Sequence, residues 1–280
     1  MTIKEAWLYG RSQLAQTSPT PDLDARLLLQ HILQVDHPYL IAHDDQRLTE
    51  AQVTAYQQVI VRARHREPIP YIIGHAPFYG LAFMVSPAVL IPRPETEQLV
   101  ETAVRWANQH HPQHIADIGT GSGCIAITLA RLLPHATIHA VDISPDALNI
   151  ARQNATRHAP DRVLFYQGDL LTPLPHPPDM IIANLPYVSD SEWTQLDDGV
   201  KLYEPKIALT AGEKGLDLIQ NLLAQATRKL KPGGAIFLEV GWQQGAAVRT
   251  LAAQYFPEAY INVLPDYAGH DRIVQIDLAT

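Results

Sequence analysis

The sequence predicts an α/β protein with a mostly parallel sheet covered by helices on both faces and a small helical domain in front of it. Three observations carry this. Helical periodicity without strands fills the first 70 residues; strand-like and helical stretches alternate from Pro92 onward; and a glycine-rich turn and an Asn-x-Pro-Tyr turn each follow a short apolar strand. At 280 residues the chain is long enough for one large domain and a smaller partner.

In residues 1–70, Leu23, Leu27, Leu28, Ile32 and Val35 recur at helical spacing after Pro19 and Pro21. Thr49-Glu50-Ala51-Gln52 has the form of a capping box, and Val53, Tyr56, Ile60 and Ala63 mark one face of the helix it opens. Residues 71–92 read as a linker holding an extended pair of strands, because Leu81–Val85 is strand-like and Gly74, Pro77 and Gly80 punctuate the approach. Residues 93–280 form the alternating domain. Pro94 suits a first helical turn, and Leu99, Val100, Ala103, Val104 and Ala107 face one side of the helix that follows. Strands are expected at His114–Ile118, Thr137–Asp142, Val163–Gln167, Met180–Asn184, Ala235–Val240, Tyr260–Leu264 and Ile273–Leu278. Helices are expected at Cys124–Leu133, Pro145–Arg157, Gly215–Leu230 and Gln243–Tyr255. Pro265–Asp271 is too short for a crossover helix, so the last two strands should pair antiparallel.

Hydrophobic content of 46% and charged content of 18% are those of a folded globular protein, and the net charge of -8 argues against a free-standing nucleic-acid binder. A single cysteine, Cys124, excludes an intramolecular disulfide framework. The first residues lack a signal-peptide core and no apolar run is long enough to span a bilayer, so a cytoplasmic location without membrane contact is expected.

Gly119-Thr120-Gly121-Ser122-Gly123 turns strand into helix where side chains would block a ligand. A nicotinamide fingerprint would place its third glycine at position 124, which is Cys124. The spacing is instead G-x-G-x-G, with Asp117 two residues ahead, and suits S-adenosylmethionine, which has no pyrophosphate. Asp142 ends the next strand at the offset of an acid that accepts both ribose hydroxyls, and Ser144 caps the following helix itself. After the next strand, Asp169 either accepts from the adenine amino group beside Leu170 or caps a helix.

Asn184-Leu185-Pro186-Tyr187 indicates the acceptor of the methyl group. An amide nitrogen is a poor nucleophile because its lone pair is delocalised. The Asn184 side-chain carbonyl and the main-chain carbonyl of residue 185 can hold both hydrogens of an –NH₂ group and stabilise charge developing on nitrogen. Pro186 stiffens the turn, and Tyr187 can stack on the planar group. Asn184 thus belongs to both the cofactor and the substrate side, and the chemistry is methylation of an amide or amino nitrogen.

The chain resembles the release factor glutamine methyltransferase family (PrmC/HemK). The resemblance is carried by Pro77-Phe78-Tyr79-Gly80, Ile91-Pro92-Arg93-Pro94-Glu95-Thr96-Glu97, the Asp117–Gly123 turn, Tyr203-Glu204-Pro205 with Ala208-Leu209, Glu239–Gly245 and Asp266–Arg272. It implies a class I S-adenosylmethionine-dependent methyltransferase with a Rossmann-like seven-stranded sheet. It also implies methylation of N5 of the glutamine in the Gly-Gly-Gln motif of class 1 peptide chain release factors, with S-adenosylhomocysteine as product and no metal. The helical domain would help dock the release factor. Leu185 stands where the family usually has Pro, a position whose contact is main chain. Adenine N6-methylation of DNA or RNA is the alternative, since Asn-x-Pro-Tyr is shared with those enzymes; it needs a basic groove, and the net charge of -8 and the absence of Lys/Arg clusters argue against it.

Other residues read as structural. His111 and His114 have a metal-like spacing but no third ligand nearby, and Cys124 packs as a small apolar residue. Glu204 and Arg272 read as ion-pairing groups, and Trp193 lines a peptide groove or packs in the core.

Overall fold

The computed structural model describes residues 1–279 and divides into two compact units. One comprises Met1–His75 with Asp197–Glu204; the other comprises Ala76–Leu196 and the described chain from Pro205.

The first unit is helical: α1 (Ile3–Leu14), α2 (Pro21–Leu33), α3 (His37–Ala42), α4 (Glu50–Arg64) and α5 (Ile69–Ile73). Capping boxes open α1, from Thr2 and Glu5, and α4, from Thr49 and Gln52. The buried residues of α4 are Tyr56, Val59, Ile60 and Ala63. Tyr56 lies at the centre and donates its hydroxyl to the Ala25 carbonyl at 3.0 Å. Gly10 of α1 lets the helices close here, since a Cβ on it would meet the Tyr56 hydroxyl and Ala25. On α2 the buried residues are Ala25, Leu28 and Leu29, whereas Leu23 is exposed: helical spacing found the helix but assigned its first turn to the wrong side. The expected start of the linker at residue 71 falls inside α5, whose Tyr71 and Ile72 are buried, and the helical unit runs on to His75.

In the second unit, β1 (His75–Phe78) and β2 (Leu81–Met84) form a two-stranded sheet, followed by α6 (Glu95–His110). The main elements then alternate: β3 (His114–Ile118), α7 (Cys124–Leu132), β4 (Thr137–Asp142), α8 (Pro145–His158), β5 (Val163–Gln167) and β6 (Met180–Ala183). An insertion after β6 carries α9 (Asp190–Trp193), then α10 (Asp198–Tyr203), which is part of the helical unit, and a short 3-10 turn (Lys206–Ala208). It leads to α11 (Asp217–Lys229), β7 (Ala235–Glu239), α12 (Gly245–Tyr255), β8 (Tyr260–Pro265) and β9 (Asp271–Asp277). The seven-stranded sheet has the order β5-β4-β3-β6-β7-β9-β8. It is parallel except at β9, which runs antiparallel to both β7 and β8.

The central strands are mostly apolar, as burial on both faces requires, and two clusters of buried residues divide the core. One includes Leu99, Ala103, Ile127 and Ile138; the other includes Ile181, Leu222, Ile236 and Val274. Chain order reverses beside β3, which pairs with β4 on one side and β6 on the other. The crevice at the carboxyl ends of strands around such a reversal is where open α/β sheets bind ligands.

The segment Asp197–Glu204 belongs to the helical unit although it follows β6 in the chain. Asp197 caps α10 through the Gly199 N–H at 2.7 Å and pairs with Arg66 at 3.1 Å. The Tyr203 hydroxyl donates to the His65 carbonyl at 3.1 Å.

Candidate active site

A cavity of about 450 Å³ opens at the carboxyl ends of the central strands. It is lined by Gly119, Thr120, Gly121 and Ser122 after β3, Asp142 after β4, Gly168, Asp169 and Leu170 after β5, and Asn184, Leu185 and Pro186 after β6. Parallel strands in register thus bring to one place loops separated by more than 60 residues of sequence.

The glycine loop is held from beneath by Asp117, which is fully buried. Its Oδ2 accepts from the Thr120 hydroxyl at 2.6 Å and the Ala126 N–H at 3.1 Å. Oδ1 has no hydrogen-bond partner among the described residues. Burial pushes this carboxyl up to about 7. An orphaned acceptor under the loop fits a ligand with a cationic group, as the ammonium of an amino-acid moiety is. Gly119 and Gly121 have φ of +75° and +55°. A Cβ on Gly119 would lie 3.0 Å from Leu185 Cδ2, so the glycine loop and the Asn184 turn pack directly on each other.

Gly123 does not itself line the cavity. At φ +81° it precedes α7, and a Cβ there would sit 3.0 Å from Ile127 Cδ1 and 3.2 Å from Ala151 Cβ. It is a glycine because α7 and α8 close over it.

Asp142 takes the Gly121 N–H on Oδ2 and the Ser144 N–H on Oδ1, both at 2.9 Å. Ser144 separately caps α8 through the Ala147 N–H. Each Asp142 oxygen keeps a further lone pair, and the group lines the cavity. Burial raises its pKa, against the lowering effect of these backbone N–H groups. Asp169 caps no helix with its side chain; its Oδ2 accepts from Gln225 Nε2 at 3.3 Å. Leu170 is held at φ +47°, a left-handed conformation that costs a leucine about 1–2 kcal/mol, and its side chain is buried at the cavity wall.

Asn184 follows the last residue of β6. Its Nδ2 donates to Thr96 Oγ1 at 3.0 Å, and that hydroxyl donates to Glu239 Oε2 at 2.7 Å. Thr96 and Glu239 are buried, and burial raises the Glu239 carboxyl to about 7. Sequence reasoning missed this chain of polar groups. The signal was present: Glu239 ends a central strand that is otherwise apolar, Ala235-Ile236-Phe237-Leu238.

Leu185 is buried in the core cluster against the glycine loop. Tyr187 is not among the residues that line the cavity wall. Its carbonyl accepts from Gln244 Nε2 at 2.9 Å and lies where a Cβ on Gly215 would fall. Its phenol is pushed up to about 12, first by burial and then by Glu239. Tyr187 therefore anchors the turn to the loops after β7 and ahead of α11. The returning insertion closes beside it, where Val188 N–H bonds the Leu209 carbonyl and Ala211 N–H bonds the Val188 carbonyl. Ile207, Ala208 and Thr210 complete the cavity wall on that side.

Arg272 pairs with Asp266 at 3.4 Å and donates to the Val240 carbonyl at 3.3 Å, ordering the loops after β7 and β8. Cys124 is buried, with its thiol raised to about 12. His114 and His139 share a hydrogen bond at 3.1 Å. Among the described residues no group of three or more His, Cys, Asp or Glu is arranged to hold a metal ion, and no helix is long and apolar enough to cross a membrane. Trp193 is half-buried, with Lys206 Nζ 5.3 Å from its ring centre.

Comparison with known proteins agrees with this architecture. The family described as PrmC N-terminal domain matches residues 5–74, and the family described as Methyltransferase domain matches residues 110–259. A release factor glutamine methyltransferase of Koribacter versatilis is 41% identical, the match covering 98% of each chain. One of Moorella thermoacetica is 41% identical over 97% of each, and one of Vibrio cholerae is 38% identical over 98% of this chain and 96% of that one. Among solved structures, a ribosomal protein L11 methylase from Lactobacillus delbrueckii subsp. bulgaricus aligns with a TM-score of 0.52 at 20% identity, covering 73% of this chain and 90% of the other, a likeness of fold. The sheet order is that of a class I methyltransferase, and the methyltransferase domain implies a cofactor of the S-adenosylmethionine type. The chain belongs to the release factor glutamine methyltransferase family.

Proposed function

We propose that this chain transfers a methyl group from S-adenosyl-L-methionine to the N5 amide nitrogen of the glutamine in the Gly-Gly-Gln motif of class 1 peptide chain release factors. The observation that carries the reading is that Asn184 and Leu185 line the same cavity as the glycine loop and Asp142. When bound, the cofactor supplies a methyl group on a cationic sulfur.

Gly119, Thr120, Gly121 and Ser122 admit the methionyl part of the cofactor without side-chain obstruction, over the orphaned Asp117 oxygen. Asp142 accepts the ribose hydroxyls with its remaining lone pairs, and Asp169 accepts from the adenine amino group beside Leu170. Asn184 Oδ1 and the Leu185 carbonyl each take one hydrogen of the glutamine –NH₂. This fixes the nitrogen, opposes its rotation and stabilises the positive charge that grows on it as the bond to carbon forms. No residue has to deprotonate the amide beforehand, because the proton is lost after nitrogen has become cationic. Pro186 restricts the turn that presents both acceptors, and Tyr187 holds that turn from behind.

The helical unit docks the release factor and the reaction takes place in the cytoplasm, where translation termination occurs. Tritiated methyl transfer tests the reading against three substrates: intact release factor, a release factor with the motif Gln replaced by Ala, and duplex DNA or RNA. Label on the first alone is expected. Label on nucleic acid, or undiminished label on the Ala variant, overturns it.

A further inference from the structure

We infer that Thr96 and Glu239 are positioning residues that set which end of the Asn184 amide faces the substrate. The inference rests on the reading of Asn184 as an acceptor for the substrate –NH₂. An Asn side chain has an acceptor arm and a donor arm of nearly equal shape, and only the acceptor arm serves there. Something has to choose between them.

The choice is made by a directional relay. An ionised carboxylate only accepts, so the single hydrogen of the Thr96 hydroxyl is committed to Glu239 Oε2, 2.7 Å away. Thr96 Oγ1 can then act towards Asn184 only as an acceptor, which draws Nδ2 to it at 3.0 Å. Oδ1, the opposite arm, is left for the cavity that Asn184 lines. Thr96 and Glu239 are each 2% exposed, so water does not compete for these bonds.

The relay also has a reverse setting. A protonated Glu239 can donate to Thr96, freeing the threonine hydrogen for Asn184 Oδ1 and turning the –NH₂ end of Asn184 towards the substrate. Two donors then face each other and the site loses an acceptor. Several groups bear on Glu239. Burial and Glu95 favour its neutral form, while Thr96, Arg272 and Asn184 favour its charged form. Tyr187 and Cys124 face it from the turn and from α7, with Arg93 and Arg272 near Tyr187. The balance places its titration at about 7, within reach of an assay.

The test uses the full-length enzyme with intact release factor as substrate. Thr96→Val removes the relay and is expected to lower kcat about 10- to 100-fold, the scale of a misaligned reacting group. Calorimetric affinity for S-adenosylmethionine should stay unchanged, and Thr96→Ser should recover most of the loss. The kcat of the wild type should fall as pH drops through about 7, and Glu239→Gln, which cannot ionise, should flatten that limb. Wild-type kcat in Thr96→Val overturns the inference. So does an acid limb that persists in Glu239→Gln, which would belong instead to another buried acid such as Asp117. If Glu239→Gln does not fold, the Thr96 pair and the wild-type profile still decide. Asn184→Ala separates the two levels: if it is inactive while Thr96→Val is fully active, only the relay fails; if it is active, the acceptor reading itself fails.

Discussion

Gly121 and Gly123 look alike in sequence, but the structure gives them different work, and an alanine at each should fail differently. Both have positive φ, +55° and +81°, so either alanine pays conformational strain of about 1–2 kcal/mol. At Gly121 the nearest atom to a new Cβ is the Gly119 carbonyl oxygen at 4.0 Å, and the methyl would enter the cavity. At Gly123 the new methyl meets Ile127 Cδ1 at 3.0 Å and Ala151 Cβ at 3.2 Å, with Ala151 Cα at 3.4 Å. Overpacking of this kind adds about 1–3 kcal/mol, for a total of roughly 2–5. At roughly 2–4 °C per kcal/mol for a domain of this size, Gly123→Ala should lower Tm by about 4–20 °C and Gly121→Ala by about 2–8 °C. Cofactor affinity should rank the other way: Gly121→Ala weakens it strongly, while folded Gly123→Ala keeps it near wild type. Scanning calorimetry and titration calorimetry on the two proteins measure both quantities. Loss of cofactor binding in Gly123→Ala with a Tm no lower than that of Gly121→Ala would refute the separation, and would place Gly123 in the cofactor cradle.

Three further outcomes follow from particular contacts. Asp142→Ala removes the proposed ribose acceptor and should weaken S-adenosylmethionine binding by about 1.5–3 kcal/mol; unchanged affinity in titration calorimetry would contradict that role. Leu185→Pro keeps the main-chain acceptor but deletes a buried side chain packed against Gly119, so Tm should fall while kcat stays within a few-fold of wild type; a collapse of kcat in the folded protein would give the leucine a role in chemistry. His139 lies among His114, His176 and Tyr166, and burial lowers its pKa from 6.5 to about 4. Its contribution to stability is therefore complete above pH 6.5 and lost as pH falls towards about 4, by at most about 3 kcal/mol. Asp117 and Glu239 act in the opposite sense, being raised to about 7, so their contribution is lost as pH rises from the ordinary carboxylate range to about 7. Relative to its value at pH 7.5, the urea midpoint at pH 5 should be lower in wild type than in His139→Gln, and an equal shift in the two proteins would count against the histidine.

What the sequence disclosed follows from how local each signal is. The first three parallel strands begin and end where apolar runs meet polar ends, and those bounds match the structure residue for residue. The cavity loops were legible because each follows a strand directly, so the topology had only to bring the strands side by side. The short helices α5, α9 and α10 carry too few residues for a period to register. Tyr187 and Gly123 stand beside the cavity residues in sequence without lining the cavity, because a motif gives proximity in sequence, not the direction of a side chain. Thr96 and Glu239 lie 143 residues apart, and only the pairing of the strands and the packing of α6 unite them.

The central claim is that Asn184 holds the glutamine nitrogen for methyl transfer. It is tested most directly by mass spectrometry of release factor incubated with S-adenosylmethionine and either wild-type enzyme or Asn184→Ala, each first shown to bind the cofactor. The account predicts a single methyl group on the glutamine of the Gly-Gly-Gln motif with wild type, and a rate about 10²–10³ lower with Asn184→Ala at similar cofactor affinity. Methylation of that glutamine at the wild-type rate by Asn184→Ala would contradict it.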